Sequence, residues 1–101
     1  MLMDISFDPT KDASNREKHG VPLSLAETID WSDVLCRPDD RRDYGELREI
    51  GFAVIEDRLY VVVFVQRGDV MHIVSLRKAN SREVTSYDEA IQEARACDAD
   101  A

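Results

Sequence analysis

Arg77 and Lys78 close a β-rich run, Val70 to Leu76, just before the chain turns into a helical segment. At least one of these cations therefore projects from the rim of a sheet. An arginine there can bond two oxygens of a phosphate through its planar fork; the alternative is a surface salt bridge. Glu83 and Tyr87 follow, four residues apart and so on one helical face. A glutamate near arginines suits a general base, and a tyrosine can stack on a base or donate a proton. Glu83 can equally complete a cap at Asn80, and Tyr87 can pack on a core. His19 carries a ring whose ordinary titration, at about 6.5, suits acid–base work, yet at a helix C-terminus it can serve only to cap carbonyls. Lys18 beside it supplies positive charge. His72 alternates with Ile73 and lies on the other face of their strand, either to meet a ligand or to pack beneath a helix. Asp8, His19 and His72 can be assembled into a metal site on paper, but no HxxxH, HxH or HxD spacing supports one. Cys36 and Cys97 lie far apart without a CxxC, which argues for ordinary thiols over zinc or a disulfide framework. No metal and no cofactor are expected.

The elements that must position these groups are legible in the pattern. Ile5 and Phe7 alternate with polar neighbours, as in a first strand. Asp8 and Pro9 then cap and open a helix that stops at Gly20, after Lys18 and His19. Ser24 and Glu27, spaced as a capping box, announce a second helix carrying Leu25, Ala26 and Ile29 inward, with Trp31 and Val34 closing it. Arg37 to Tyr44 is the most polar stretch and reads as a surface loop. Three β-rich runs follow, Leu47 to Ile55, Leu59 to Val65 and Val70 to Leu76, joined by links short enough for antiparallel hairpins. The middle run is apolar at every position, as a central strand covered on both faces requires. Asn80 and Ser81 open a short helical turn, Ser86 and Glu89 repeat the capping-box spacing before Ala90, Ile91 and Ala94, and Asp98 to Ala101 should fray. The expected architecture is α+β: the first strand joins the meander in an antiparallel four-stranded sheet, packed with two N-terminal helices and a C-terminal helix.

The 101 residues, 44% hydrophobic and 34% charged with only 4 glycines and 3 prolines, suit one folded domain spanning 1–101 rather than a linker or tail. The longest apolar stretch, Leu59 to Val65, is about a third of the length a membrane-spanning helix needs, so a soluble cytoplasmic protein is expected. A net charge of -8 counts against nucleic acid. Its distribution softens that: residues 58 to 87 hold 5 basic and 2 acidic side chains, whereas residues 21 to 57 hold 4 and 10.

Several of these residues line up with one family. Phe7-Asp8, Lys11, Asn15 and Lys18-His19-Gly20-Val21 resemble the N-terminal signature of the BrnT toxins, ribonucleases of type II toxin–antitoxin systems. The match continues through Ala26, Gly45-Glu46, Arg48, Gly51 and Arg67-Gly68, and ends in Ile73-Val74-Ser75-Leu76-Arg77-Lys78-Ala79 with Glu83 and Tyr87. The resemblance implies a RelE-like fold, metal-independent cleavage of RNA, and neutralisation by a BrnA-like antitoxin that itself binds DNA, so that operator DNA is reached only through the antitoxin. It departs from the family at His72, where an arginine is usual, and in the extension over residues 88 to 101.

Metal-free cleavage requires a base for the 2′-hydroxyl proton, cations for the pentacoordinate phosphorus and an acid for the leaving oxygen. The expected constellation is His19, Arg77, Lys78 and Glu83, with Lys18, Arg67, His72 and Tyr87 binding RNA. A rival reading keeps the fold as a binding module that holds the antitoxin and acts as co-repressor, position 72 having cost it turnover. The acidic segment from Asp30 to Glu49 offers a basic antitoxin segment a surface, and reversing Asp39, Asp40 and Asp43 to lysine should then slow association.

Overall fold

The structure, a computed structural model, describes residues 3–39 and 45–99, with side chains through residue 93. Along the chain lie β1 (Asp4–Ser6), α1 (Pro9–His19), two 3-10 turns (Leu23–Thr28 and Trp31–Asp33), β2 (Leu35–Pro38), β3 (Glu49–Ile55), β4 (Arg58–Arg67), β5 (Val70–Lys78) and α2 (Ser81–Ala99). The α+β class stands. The antiparallel four-stranded sheet is corrected: five strands pair in the order β1-β5-β4-β3-β2. β1 runs parallel to β5, with Asp4, Ile5 and Ser6 opposite Val70, Met71 and His72. The extra strand, β2, starts at Leu35, runs into the stretch from Arg37 where a loop was expected, and pairs antiparallel with β3. It is exposed throughout and ends on Pro38, which a strand tolerates only at such an edge.

α1 forms as its sequence dictates. The Asp8 carboxylate accepts from the Thr10 N–H at 2.8 Å, Pro9 opens the first turn, and Gly20 closes the helix in the left-handed region at φ 69°. The expected second helix is a 3-10 turn instead, and the box at Ser24 and Glu27 does not form, because the capping position falls to Pro22, which has no side-chain bond to give. The reason is periodicity. Leu23 and Ala26, spaced by three, are fully buried, and side chains at i and i+3 eclipse in a 3-10 helix; Ile29, 1% exposed, follows in extended backbone that ends the turn. At the C-terminal end one helix of 19 residues replaces the turn and separate helix. Its cap is reciprocal: the Glu83 N–H donates to Asn80 Oδ1 at 2.8 Å and the Asn80 N–H to Glu83 Oε1 at 3.0 Å. Ser86 and Glu89 are thus internal, and Asp98 and Ala99 remain helical; residues 100 and 101 lie outside the described residues.

β4 is the middle strand and is buried from Leu59 to Val65, as its uninterrupted apolar run requires. α1 and the 3-10 turns cover one face of the sheet, where Val62, Phe64, Ile73 and Leu76 meet Leu23, Ala26 and Ile29. Trp31 packs edge-on against Phe64 at 4.8 Å between ring centroids. Gly51 makes this layer possible, since a Cβ there would lie 2.7 Å from Val34 Cγ1 and 3.2 Å from Phe64 Cε1 and Val62 Cγ1. Gly51→Ala should lower the unfolding free energy by about 1–3 kcal/mol through overpacking. A urea denaturation midpoint equal to the parent's would show that Val34 simply yields.

Candidate active site

The site is built on the last strand of the sheet. β1 ends at Ser6, opposite His72, so from Ile73 onward β5 is the sheet edge. Asn15, from α1, takes the missing partner's place: its Nδ2 donates to the Leu76 carbonyl at 2.7 Å and to the Val21 carbonyl at 2.8 Å, and its Oδ1 accepts from the Leu76 N–H at 3.2 Å. Asn15 is 5% exposed, so these bonds are made out of water. They fasten α1 along the β5 edge, with Lys11 and Lys18 on the face of the helix that Asn15 shares.

A bulge in β5 then decides which side chains meet. Val63 pairs with Ser75 but Phe64 with Ile73, leaving Val74 as an extra residue. In a regular strand His72 and Arg77, five apart, would point to opposite faces. The bulge shifts the phase, and both stand on the face away from the core, opposite Val65 and Val61.

Three adjoining hollows run round this edge. The first, of about 120 Å³, is lined by Asp8, Lys11, Glu46, Arg48, Arg67 and His72. The second gathers Lys11, Ser14, Asn15, Lys18 and His19. The third, of about 230 Å³, holds Arg37, Ile50, Phe52, Val63, Arg77 and Glu83. Lys11 and Val74 line the first and second, and Ser75 the second and third, so the bulge sits where all three join.

Two ion pairs lie inside them. Arg77 grips Glu83 through two bonds, Nη1 to Oε1 at 2.7 Å and Nη2 to Oε2 at 2.8 Å. The guanidinium, helped by the Asn80 N–H and opposed by partial burial, holds the Glu83 carboxyl down to about 2. A carboxylate that weakly basic takes protons poorly at neutral pH. Because the folded value is depressed, the bridge stabilises the fold fully above the ordinary carboxylate value of 4.5 and is lost as pH falls through about 2. Glu83→Gln should therefore flatten the acid limb of the stability curve between about pH 4.5 and 2, read by urea titration at successive pH values. Equal slopes in parent and variant would refute this. In the first hollow Arg67 binds Glu46 at 2.7 and 3.3 Å, lowering the carboxyl's pKa. His72 Nδ1 lies 2.9 Å from Ser6 Oγ.

Of the residues expected to converge, the structure brings Lys18 to His19, Arg77 to Glu83, and Arg67 to His72, in three hollows rather than one. His19 and Arg77 do not share a hollow; theirs meet at Ser75. Lys78 is exposed, at the end of β5 and opposite Tyr60, and so on the other face from Arg77. Tyr87 packs on Phe52, ring centroids 6.2 Å apart, and lines a separate groove with Val54, Val84 and Asp88. Sequence reasoning named Lys11 and Arg48 only within the family resemblance, without a site role, and missed Arg37 and Ser6; the spacing of Lys11 and Lys18 around Asn15 was one local signal available. Asp39, expected on an acidic docking surface, is buried, 5% exposed, with its N–H bonded to the Arg48 carbonyl at 2.7 Å. Asp40 and Asp43 lie outside the described residues. Among the described residues no three His, Cys, Asp or Glu side chains are placed to hold a metal ion, and no helix is long and apolar enough to cross a membrane.

A mixed sheet with the edge of β5 closed by a helix and flanked by hollows that hold both cations and carboxylates defines a small α+β scaffold. The crystal structure of the Brucella abortus ribonuclease toxin, BrnT, has this fold: it matches with a TM-score of 0.62 over 78% of this chain and 99% of that one, at 19% identity. No curated protein matches the sequence. The sequence model of the family described as the ribonuclease toxin, BrnT, of type II toxin–antitoxin systems matches residues 7–83. The chain belongs to the BrnT family. That match ends at Glu83, in the first turn of α2.

Proposed function

We propose that the chain is a RelE-like endoribonuclease that cuts RNA without a metal ion, and that the substrate backbone follows the β5 edge past the three hollows. Lys18 and His19 contact it on the helix side of the bulge, Arg77 on the other side, with Arg67 and His72 at the far end. Lys78 and Tyr87 contact flanking nucleotides. The observation that carries this reading is the bulge, which joins three cation-bearing hollows into one track inside an acidic molecule. Glu83 orients Arg77 in the free protein, and a phosphate competes for the same fork. The reading predicts cleavage of single-stranded RNA by antitoxin-free protein in excess chelator. Intact RNA after incubation with folded protein would remove it.

The partner is a BrnA-like, DNA-binding antitoxin that neutralises the toxin and links it to operator DNA. A second reading, an inactive module acting as co-repressor, is favoured by one observation: the Arg77 fork already holds a carboxylate at both nitrogens. Expression of the chain alone separates the two, arresting growth under the first and harmless under the second.

A further inference from the structure

We propose that His72, held by Ser6, is the group that takes the 2′-hydroxyl proton during cleavage, with Ser6 as its positioning residue. This rests on the ribonuclease reading. The parallel register sets Ser6 directly opposite His72, 66 residues away in sequence, and their side chains meet at 2.9 Å. In the tautomer in which Ser6 Oγ accepts from Nδ1–H, the ring keeps its lone pair on Nε2, and this is the tautomer the proposal requires. His72 makes no other hydrogen bond among the described residues. The ring is half-buried in a hollow that also holds Lys11, Arg48 and Arg67. Arg67 already neutralises Glu46 there, and Lys11 and Arg48 outnumber the remaining carboxylate, Asp8, so the surroundings favour a developing phosphorane charge.

The other candidates lack one of these features. His19 is exposed and has no hydrogen bond to orient its ring among the described residues. Glu83 is committed to Arg77 and to the α2 cap. In the step proposed, Nε2 takes the 2′ proton as the 2′ oxygen bonds to phosphorus. The P–O5′ bond breaks, its electron pair stays on O5′, and that oxygen takes a proton from water. The hydroxide left behind is neutralised by the imidazolium. The products are a 2′,3′-cyclic phosphate and a 5′-hydroxyl, with the histidine restored.

The test is single-turnover cleavage of a short single-stranded RNA across pH, with binding measured in parallel by fluorescence anisotropy. His72→Gln should cut at least about 10²-fold more slowly, lose RNA binding by a much smaller factor, about tenfold at most, and lose the acid limb of the pH–rate profile. His72→Asn, checked by circular dichroism, serves as a second variant. Ser6→Ala should slow cleavage about 3- to 10-fold, a fraction of the general-base contribution, and displace the acid limb, whereas His19→Gln should keep the limb in place. An active parent whose His72 variants cut within threefold, or lose binding by the same factor as cleavage, overturns the assignment and leaves the ribonuclease reading intact. A parent that leaves the RNA uncut overturns both.

Discussion

Arg77→Ala should slow RNA cleavage by about 10- to 10²-fold at limiting RNA, the effect of losing a hydrogen bond from a charged group, worth about 1.5–3 kcal/mol, to a phosphate in the third hollow, beside the one that His72 serves. Its bidentate geometry shows the fork already shaped for a two-oxygen anion. Arg77→Lys keeps the charge and loses the fork, so it should recover only a small part of the rate. The bridge to Glu83 provides the control. Both partners are partly exposed, with side-chain exposures of 36% and 22%, so breaking it should cost the fold only about 1 kcal/mol. If the alanine variant failed merely through lost structure, Glu83→Ala would fail as badly. The expected result is that Glu83→Ala, which releases the guanidinium, retains cleavage while Arg77→Ala does not. Equal losses in the two variants would remove Arg77 from the substrate.

Asn15→Leu is the most damaging substitution expected for the fold. It leaves the Leu76 N–H and the Leu76 and Val21 carbonyls without their partner. Each unsatisfied buried group costs about 1–3 kcal/mol, so the loss should be about 3 kcal/mol or more. In a domain this size that corresponds to a fall in Tm of about 12 °C or more. Amide exchange adds a local readout, because the Leu76 N–H should lose its protection ahead of the core of β4. Any surviving folded variant should also cleave poorly, since Asn15 is what holds Lys11, Lys18 and His19 beside the bulge. An unchanged urea midpoint would show that water replaces the amide at no cost.

How far the sequence reaches differs from element to element. α1 was readable from end to end, because Asp8, Pro9 and Gly20 act on backbone groups within a turn of themselves. The three long strands were readable from apolar runs, though β4 and β5 extend further than those runs. The 3-10 turn reads as an α-helix in sequence because the capping-box spacing at Ser24 and Glu27 outweighs the three-residue spacing of Leu23 and Ala26. β2 was hidden because an exposed edge strand has no buried face to impose alternation on its residues. For the site, residue types and sequence order pointed to the family, and the parity of His72 against Ile73 put it on the correct face.

By itself, then, the chain determined what depends on neighbours a few residues apart: caps, strand runs, the cationic character of residues 58 to 87 and the motifs of a ribonuclease toxin. Three things only the tertiary structure decided. The Val74 bulge turns Arg77 to the side of His72, the parallel pairing of β1 brings Ser6 to that histidine, and Asn15 closes the β5 edge over a separation of 61 residues. Each depends on which strands pair and in what register, and register is settled by burial of the whole sheet against α1 and the 3-10 turns, a quantity that no local stretch of sequence contains.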